Sequence, residues 1–292
     1  MASAEVTILI PNYRTLELTT LCLRLLRKHT PSGRVRVIVI DNQSQDASVA
    51  YLRRVAWIEL IEREPAPDDT PSLSHARALD LGLARVDTPY VLSFHTDTFV
   101  RTSRWLEVLL RPFQDDPQVA GVGSWKLEPP PGLAKRLGKA LEHRWRRLRH
   151  RLTGNTRKAQ AAKEQMHSGY YHLFDPRSQP DQPAEGGLYF LRSHCAMYRT
   201  DLVRRFGLSF TQGSETAGKG LHQALVERGY RMVFLPVAAL APHVLHINHA
   251  TMALHPELGS SRKNVASGRR RIRHYLNRMQ AEAILQDASL DR

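Results

Sequence analysis

Two runs of aliphatic, largely β-branched residues constrain this chain more than anything else in it. The first covers residues 6–10, with Val6, Ile8, Leu9 and Ile10, and the second residues 35–40, with Val35, Val37, Ile38, Val39 and Ile40. Between them, Leu18, Leu21, Cys22, Leu25 and Leu26 recur at helical spacing, and Pro31 follows the end of that stretch. Strands this continuously apolar are buried on both faces, and strand–helix–strand implies a parallel pair joined by a right-handed crossover. Pro11 stops the first strand and Asp41 closes the second, so Asn12-Tyr13 and Asp41-Asn42 share one carboxyl edge, where open α/β sheets bind ligands. A third run, residues 90–94, follows a helix over residues 73–85 and ends in His95-Thr96-Asp97. If the chain stays extended there, His95 and Asp97 point to one side and a single ion can touch both. The same residues serve equally as a strand-end polar group and a turn cap.

Composition narrows the partners. The 292 residues suffice for one large α/β domain or two smaller ones. Lys and Arg number 42 against 28 Asp and Glu, a formal charge of +14, which favours nucleic acid, an anionic membrane face or phosphorylated small molecules. Two distant cysteines, Cys22 and Cys195, exclude a disulfide framework or zinc ribbon and point to a reducing, cytoplasmic setting. The first residues show no basic segment followed by an apolar one, so no signal peptide is expected. The most apolar later segment, residues 232–241, is interrupted by Pro236 and too short to cross a bilayer.

Further along, a short helix over 104–110 and a strand over 119–123 precede the punctuation Pro129-Pro130-Pro131-Gly132. Leu133, Leu137, Leu141, Trp145 and Leu148 then recur every three or four residues within a strongly basic segment, 133–163. This basic amphipathic helix reads as a solvated face, as a membrane-surface element, or as a nucleic-acid contact. Nucleic acid is the weakest of the three, because no RNA-binding signature accompanies the charge and aromatics are 7 %. A polar loop over 174–185 follows, and ordered structure is expected to resume at 187–191. Helices over 201–206 and 220–228, a strand over 231–235 and a basic helix over 260–286 complete the chain. The expected division is a nucleotide-sugar-binding α/β half, 1–128; a basic helical insertion and loop, 129–186; an acceptor-side half of the same domain, 187–258; and a basic C-terminal helix, 259–292.

No glycine-rich loop follows the first strand, where Pro11-Asn12-Tyr13-Arg14 stands instead, which argues against dinucleotide and P-loop phosphate sites. A bound diphosphate would need another neutralising group, and a divalent cation at His95-Thr96-Asp97 is the natural one. The stretches 6–13, 37–46, 79–110 and 187–236, in this order and spacing, resemble the family 2 glycosyltransferases. That resemblance implies a single GT-A type α/β domain, a mostly parallel central sheet flanked by helices. It also implies sugar transfer from a nucleotide diphosphate donor, by inversion, to a glycan or phospholipid-linked acceptor. By resemblance Pro11, Asn12 and Tyr13 line the nucleotide pocket, Asp41 and Asn42 face the base, Asp97 binds the metal, and Trp105-Leu106 matches the pair that follows the metal motif. Thr96, with His75 and Asp80 on the preceding helix, joins the donor-site candidates.

Two departures from the family pattern stand out. His95 replaces the first carboxylate of the usual Asp-x-Asp, which tilts the cofactor from Mg2+ toward Mn2+, since imidazole suits later first-row metals. Ala217-Gly218 stand where the family's acidic pair precedes its Leu-rich helix, leaving Glu215 as the nearest candidate base. His243, His246 and His249 follow the 231–235 strand, and His246 is the one chosen as a third metal ligand. Two other readings are a non-catalytic polyanion- or membrane-binding protein on the same fold, and a nucleotidyltransferase, which the missing glycine loop disfavours. A peripheral location on the inner membrane face, in the synthesis of cell-surface polysaccharide, would suit the basic surface.

Overall fold

A computed structural model describes residues 4–67, 69–125, 127, 133–154, 189–248, 250–255, 257 and 262–292. The chain opens β1 (Val6–Asn12), α1 (Leu16–His29), β2 (Val35–Asn42), α2 (Ala47–Leu52), β3 (Ile58–Arg63), α3 (Pro71–Leu83) and β4 (Tyr90–Phe94). β5 (Thr98–Val100), α4 (Trp105–Asp115), β6 (Val119–Gly123) and α5 (Leu133–Leu152) follow. Then come β7 (Cys195–Arg199), α6 (Thr200–Arg205), α7 (Lys219–Glu227), β8 (Arg231–Phe234), α8 (Val237–Leu240) and β9 (Val244–His246). The last helices are α9 (Ala250–Leu254), α10 (Arg262–Arg278) and α11 (Ala281–Gln286).

Seven strands form the central sheet in the order β3-β2-β1-β4-β7-β6-β8. β1, β2, β3 and β4 run parallel, as the alternating strand–helix pattern requires, and β6 is parallel to β8, while β7 lies antiparallel between β4 and β6. Strand alternation divides the core between the two faces. β1 sends Val6, Ile8 and Ile10 toward α1 and α4, and Leu9 toward α3, where Ala76, Ala78 and Leu79 pack. α3 starts sharply because Thr70 Oγ1 accepts from Leu73 N–H (3.2 Å) and Pro71 fills the first turn. Both cysteines are free and fully buried among apolar neighbours, and burial pushes the Cys195 thiol up to about 12.

Three expectations need correction. The 90–94 strand is β4 as expected, but the chain does not stay extended beyond it: it turns at 95–98, with Thr98 N–H donating to His95 O (3.1 Å), and β5 leaves to pair antiparallel with β9. Regular structure resumes not at 187–191 but at β7, Cys195–Arg199; residues 189–191 have no regular structure and 187–188 are outside the described residues. β7 is the inner strand, with Cys195, Ala196, Met197 and Tyr198 completely buried. The terminal basic segment is broken into α10 and α11 at Gln280, whose φ of 51° no α-helix continues through. α5 ends at Leu152, and both the rest of the expected basic segment and the 174–185 loop fall outside the described residues.

Candidate active site

A cavity of about 700 Å3 opens at the carboxyl ends of β1, β2 and β4. Its donor-side wall carries Pro11, Asn12, Tyr13 and Asn42, and its floor carries His75, His95, Thr96 and Asp97. Asn12 organises that wall. Its amide donates to Asp41 Oδ1 (2.7 Å), Ser44 Oγ (3.1 Å) and Ser48 Oγ (3.0 Å), and its Oδ1 accepts from Thr19 (2.7 Å). Thr15 donates to Thr96 Oγ1 (3.2 Å), tying the first strand end to the third. Arg14, Gln43 and Gln45 all take left-handed backbone (φ 50–56°) beside this wall, strain of the kind that gathers at functional loops.

Two expected donor residues are placed differently. The Asp41 carboxylate is buried and held by Asn12 and by Ser44 N–H (2.9 Å), so it fixes the wall rather than forming it. Asp80 does not line the cavity; it accepts from Phe210 N–H (2.5 Å), Thr211 N–H (3.1 Å) and Thr211 Oγ1 (2.7 Å), fastening α3 to the loop before α7.

His95, Asp97 and His246 converge, with candidate ligand atoms all within 4.8 Å of one another. The turn after β4 aims His95 Nδ1 at Asp97 Oδ1 (3.7 Å), while antiparallel pairing of Thr98 with His246 across β5 and β9 brings His246 Nδ1 to 3.3 Å. The backbone locks this arrangement, because Ile247 N–H donates to Asp97 O (2.9 Å) and Ala250 N–H to Asp97 Oδ2 (3.3 Å). Asp97 Oδ1 is buried without a hydrogen-bond partner among the described residues, a cost that a bound cation would remove. Burial works to raise the Asp97 carboxyl, but the adjacent His246 and His95 rings and the Ala250 N–H outweigh it and hold it below the usual carboxylate range. Burial, reinforced by His75, keeps His95 well below the ordinary histidine value, hence neutral and able to ligate. Its Nε2 lies 3.0 Å from Ser193 Oγ, the outer contact that orients a ligating imidazole. The residues present therefore fit a divalent cation.

His243 is elsewhere, with Nδ1 2.6 Å from Thr102 Oγ1, and His249 is outside the described residues. Glu215 is exposed at the rim and accepts from Thr70 Oγ1 (3.3 Å); its neighbours Thr216 and Ala217 line the cavity and Glu215 does not. Backbone conformation favours glycine at 218, and backbone crowding requires it at 220. A Cβ on Gly220 would sit 1.6 Å from Gln212 O, and Gly218 has φ 77°.

Sequence reasoning passed over Trp125, Arg192, Ser193 and His194. His194 stacks on His246 (4.4 Å between centroids, 10° between planes) and its Nε2 lies 3.0 Å from Ser124 Oγ. The available signal was Arg192-Ser193-His194 itself, a polar triplet against an apolar strand that mirrors His95-Thr96-Asp97. Because β7 is antiparallel, its start lies at the edge where β4 ends, and Cys195 pairs with Phe94.

The glycosyl transferase family 2 model matches residues 7–207. The chain belongs to that family. Among solved structures, the mannosyltransferase PcManGT from Pyrobaculum calidifontis, in complex with GDP-Man and Mn2+, is similar at 15 % identity over 99 % of this chain and 71 % of that one, with a TM-score of 0.51. S. aureus TarS 1–349, alone and in complex with UDP, matches at 14 % identity over 94 % of this chain and 71 % of that one, with a TM-score of 0.52. At such identities the likeness establishes the GT-A fold. No curated protein matches. By family this chain is a glycosyltransferase, and it carries a possible metal site at His95, Asp97 and His246.

Proposed function

We propose that this protein is a metal-dependent, inverting glycosyltransferase that moves a hexose from a nucleotide diphosphate donor to a glycan or lipid-linked acceptor. The observation that carries the reading is the partnerless Asp97 Oδ1 between two imidazoles at the floor of the cavity. His95, Asp97 and His246 hold the cation, with Mn2+ preferred over Mg2+; when bound, it supplies positive charge to the departing diphosphate. Pro11, Asn12, Tyr13 and Asn42 bound the nucleotide, Asp41 steadies them from behind, and Thr96 and His75 line the donor floor. The acceptor oxygen bonds to the anomeric carbon as the bond to the diphosphate oxygen breaks, and the electron pair leaves with the nucleoside diphosphate. The acceptor proton passes to Glu215, which the loop between Gly213 and Gly218 must carry inward.

α5 supports a peripheral membrane location for this enzyme. Leu137, Leu141, Trp145, Leu148 and Leu152 fall within an arc of about 80° at 100° per residue, and all are 51–79 % exposed. Arg144, Arg146, Arg147, Arg149 and Arg151 share the helix with a single acid, Glu142. An apolar stripe among cations suits the headgroup region of an anionic bilayer, such as the inner face of a cell membrane. No described helix is long and apolar enough to cross a membrane.

Calorimetric titration of UDP and GDP, with and without MnCl2, tests the donor site. Nucleotide affinity should rise at least tenfold with Mn2+, Asp97→Ala should abolish that increment, and Glu215→Gln should cut turnover while leaving nucleotide affinity unchanged. If no nucleotide sugar is bound or hydrolysed and Asp97→Ala changes nothing, the protein is a non-catalytic binder on this fold.

A further inference from the structure

Arg192 is a cation of the cavity with no carboxylate partner among the described residues. It is half-buried, and it lines the cavity with Trp125, Phe190, Thr216 and Ala217. Only two carboxylates line the cavity among the described residues, and neither pairs with Arg192. Asp69 is paired with Arg63 (2.5 Å) and Arg77, and Asp97 belongs to the histidine group. No carboxylate pairs with Arg192 among the described residues; its guanidinium instead lies over the rings of Trp125 (5.3 Å) and Phe190 (5.0 Å). Burial alone disfavours its charge, the reverse of what an ion-paired arginine experiences.

The side chain is also built into place. Arg192 N–H donates to Ser124 O (3.1 Å), its carbonyl accepts from Cys195 N–H (3.1 Å), and Leu191 N–H donates to the buried His222 Nδ1 (3.3 Å). An arginine fixed at its backbone, resting on two nearly perpendicular aromatic rings and lacking a carboxylate partner among the described residues is a ready two-pronged receptor for an oxyanion. In the glycosyl-transfer reading, donor phosphates would take their counter-charge from the cation that His95, Asp97 and His246 would hold. Trp125 and Phe190, on which its guanidinium rests, make none of the contacts that organise the Asn12 wall, while the adjacent Ser193 and His194 reach His95 and His246.

We propose that Arg192 is the anion-recognising residue of the acceptor subsite, gripping a phosphate or carboxylate carried by the sugar acceptor while Trp125 and Phe190 bound the sugar ring. This rests on the glycosyl-transfer reading given above for the acceptor's role, whereas the binding itself can be measured without turnover. The test titrates glucose 6-phosphate, glucuronate and methyl glucoside into the full chain, first alone and then saturated with UDP or GDP and MnCl2. Both anionic sugars, or one of them, should bind at least tenfold more tightly than methyl glucoside. The better one identifies the group, and the preference should persist in the nucleotide-saturated protein. Arg192→Met should erase it and Arg192→Lys should retain part of it, with nucleotide affinity within twofold of wild type in each variant.

Equal binding of all three sugars, or an anionic preference that survives in Arg192→Met, overturns the assignment. So does competition between anionic sugar and nucleotide, or a tenfold loss of nucleotide affinity in both variants, either of which would make Arg192 a donor-diphosphate contact. Absence of any nucleotide binding would remove the glycosyl-transfer reading alone, since the sugar titrations of the nucleotide-free chain still read Arg192 directly.

Discussion

His95 sets the chemistry of the site at the scale of single residues. A carboxylate there would bring a second negative charge to the ion; the imidazole brings none, and it is kept neutral by burial and by the edge-on ring of His75 4.7 Å away. Neutral nitrogen ligands suit Mn2+ better than Mg2+, which prefers an all-oxygen octahedron. His95→Asp should therefore lower the ratio of Mn2+- to Mg2+-supported nucleotide affinity at least tenfold, as read by titration with each metal. An unchanged ratio would mean that His95 does not ligate. His75, pushed down to about 4 by burial against a smaller opposing pull from Asp97, has its Nε2 buried without a hydrogen-bond partner among the described residues. It walls the cavity as a neutral ring.

At the scale of elements, α5 departs from its neighbours. α1 buries Leu18, Leu21, Cys22, Leu23, Leu25 and Leu26, and α4 buries Trp105, Leu106, Leu109 and Leu110, whereas the stripe of α5 stays in solvent. Leaving five large apolar side chains exposed forgoes about 1.5–3 kcal/mol each, a cost that a lipid surface would offset. Co-sedimentation with vesicles containing anionic lipid should retain the protein at low salt and lose most of it at 0.5 M NaCl. Trp145→Glu with Leu148→Glu should abolish retention at both salts while leaving nucleotide affinity intact. Retention by zwitterionic vesicles that salt does not disturb would remove the electrostatic half of the proposal. β7 makes the opposite point, since a short strand with no alternating pattern becomes the centre of the sheet purely by pairing on both edges.

At the scale of the whole molecule, the last residues are bound back onto the first half of the fold. Arg24, buried on α1, pairs with Asp291 (2.5 Å), Tyr51 donates to the same carboxylate (3.0 Å), and Trp57 Nε1 donates to Leu290 O (2.9 Å). Stability should also depend on pH through the buried histidines. His222 is pushed by burial from 6.5 down to about 4, so the unfolded chain takes up a proton at a pH where the folded chain does not. Its contribution is complete above about pH 6.5 and is lost as pH falls toward 4, amounting to at most about 3 kcal/mol. The melting temperature of the metal-free protein should accordingly be flat from pH 7 to 8 and drop between 6.5 and 4, with His222→Gln showing a shallower drop. An identical slope in the variant would assign the acid sensitivity to other groups.

The parallel β1–β2–β4 layer and the three strand ends carrying Asn12, Asn42 and His95-Thr96-Asp97 were legible in the sequence. Hydrophobic runs and helical spacing are local patterns, and the handedness of the crossover then places those strand ends at one edge. The pairing of His246 with Asp97 was anticipated by family resemblance, but its cause is the β5–β9 ladder, a contact between residues almost 150 positions apart that no local pattern encodes. Arg192, Ser193 and His194 reach the same edge because β7 runs antiparallel, and strand direction is decided by pairing partners rather than by the strand's own residues. Sequence alone thus determined the fold class and the donor edge. Tertiary structure decided which polar groups from the second half of the chain face that edge, and left Arg192 there without a carboxylate partner among the described residues.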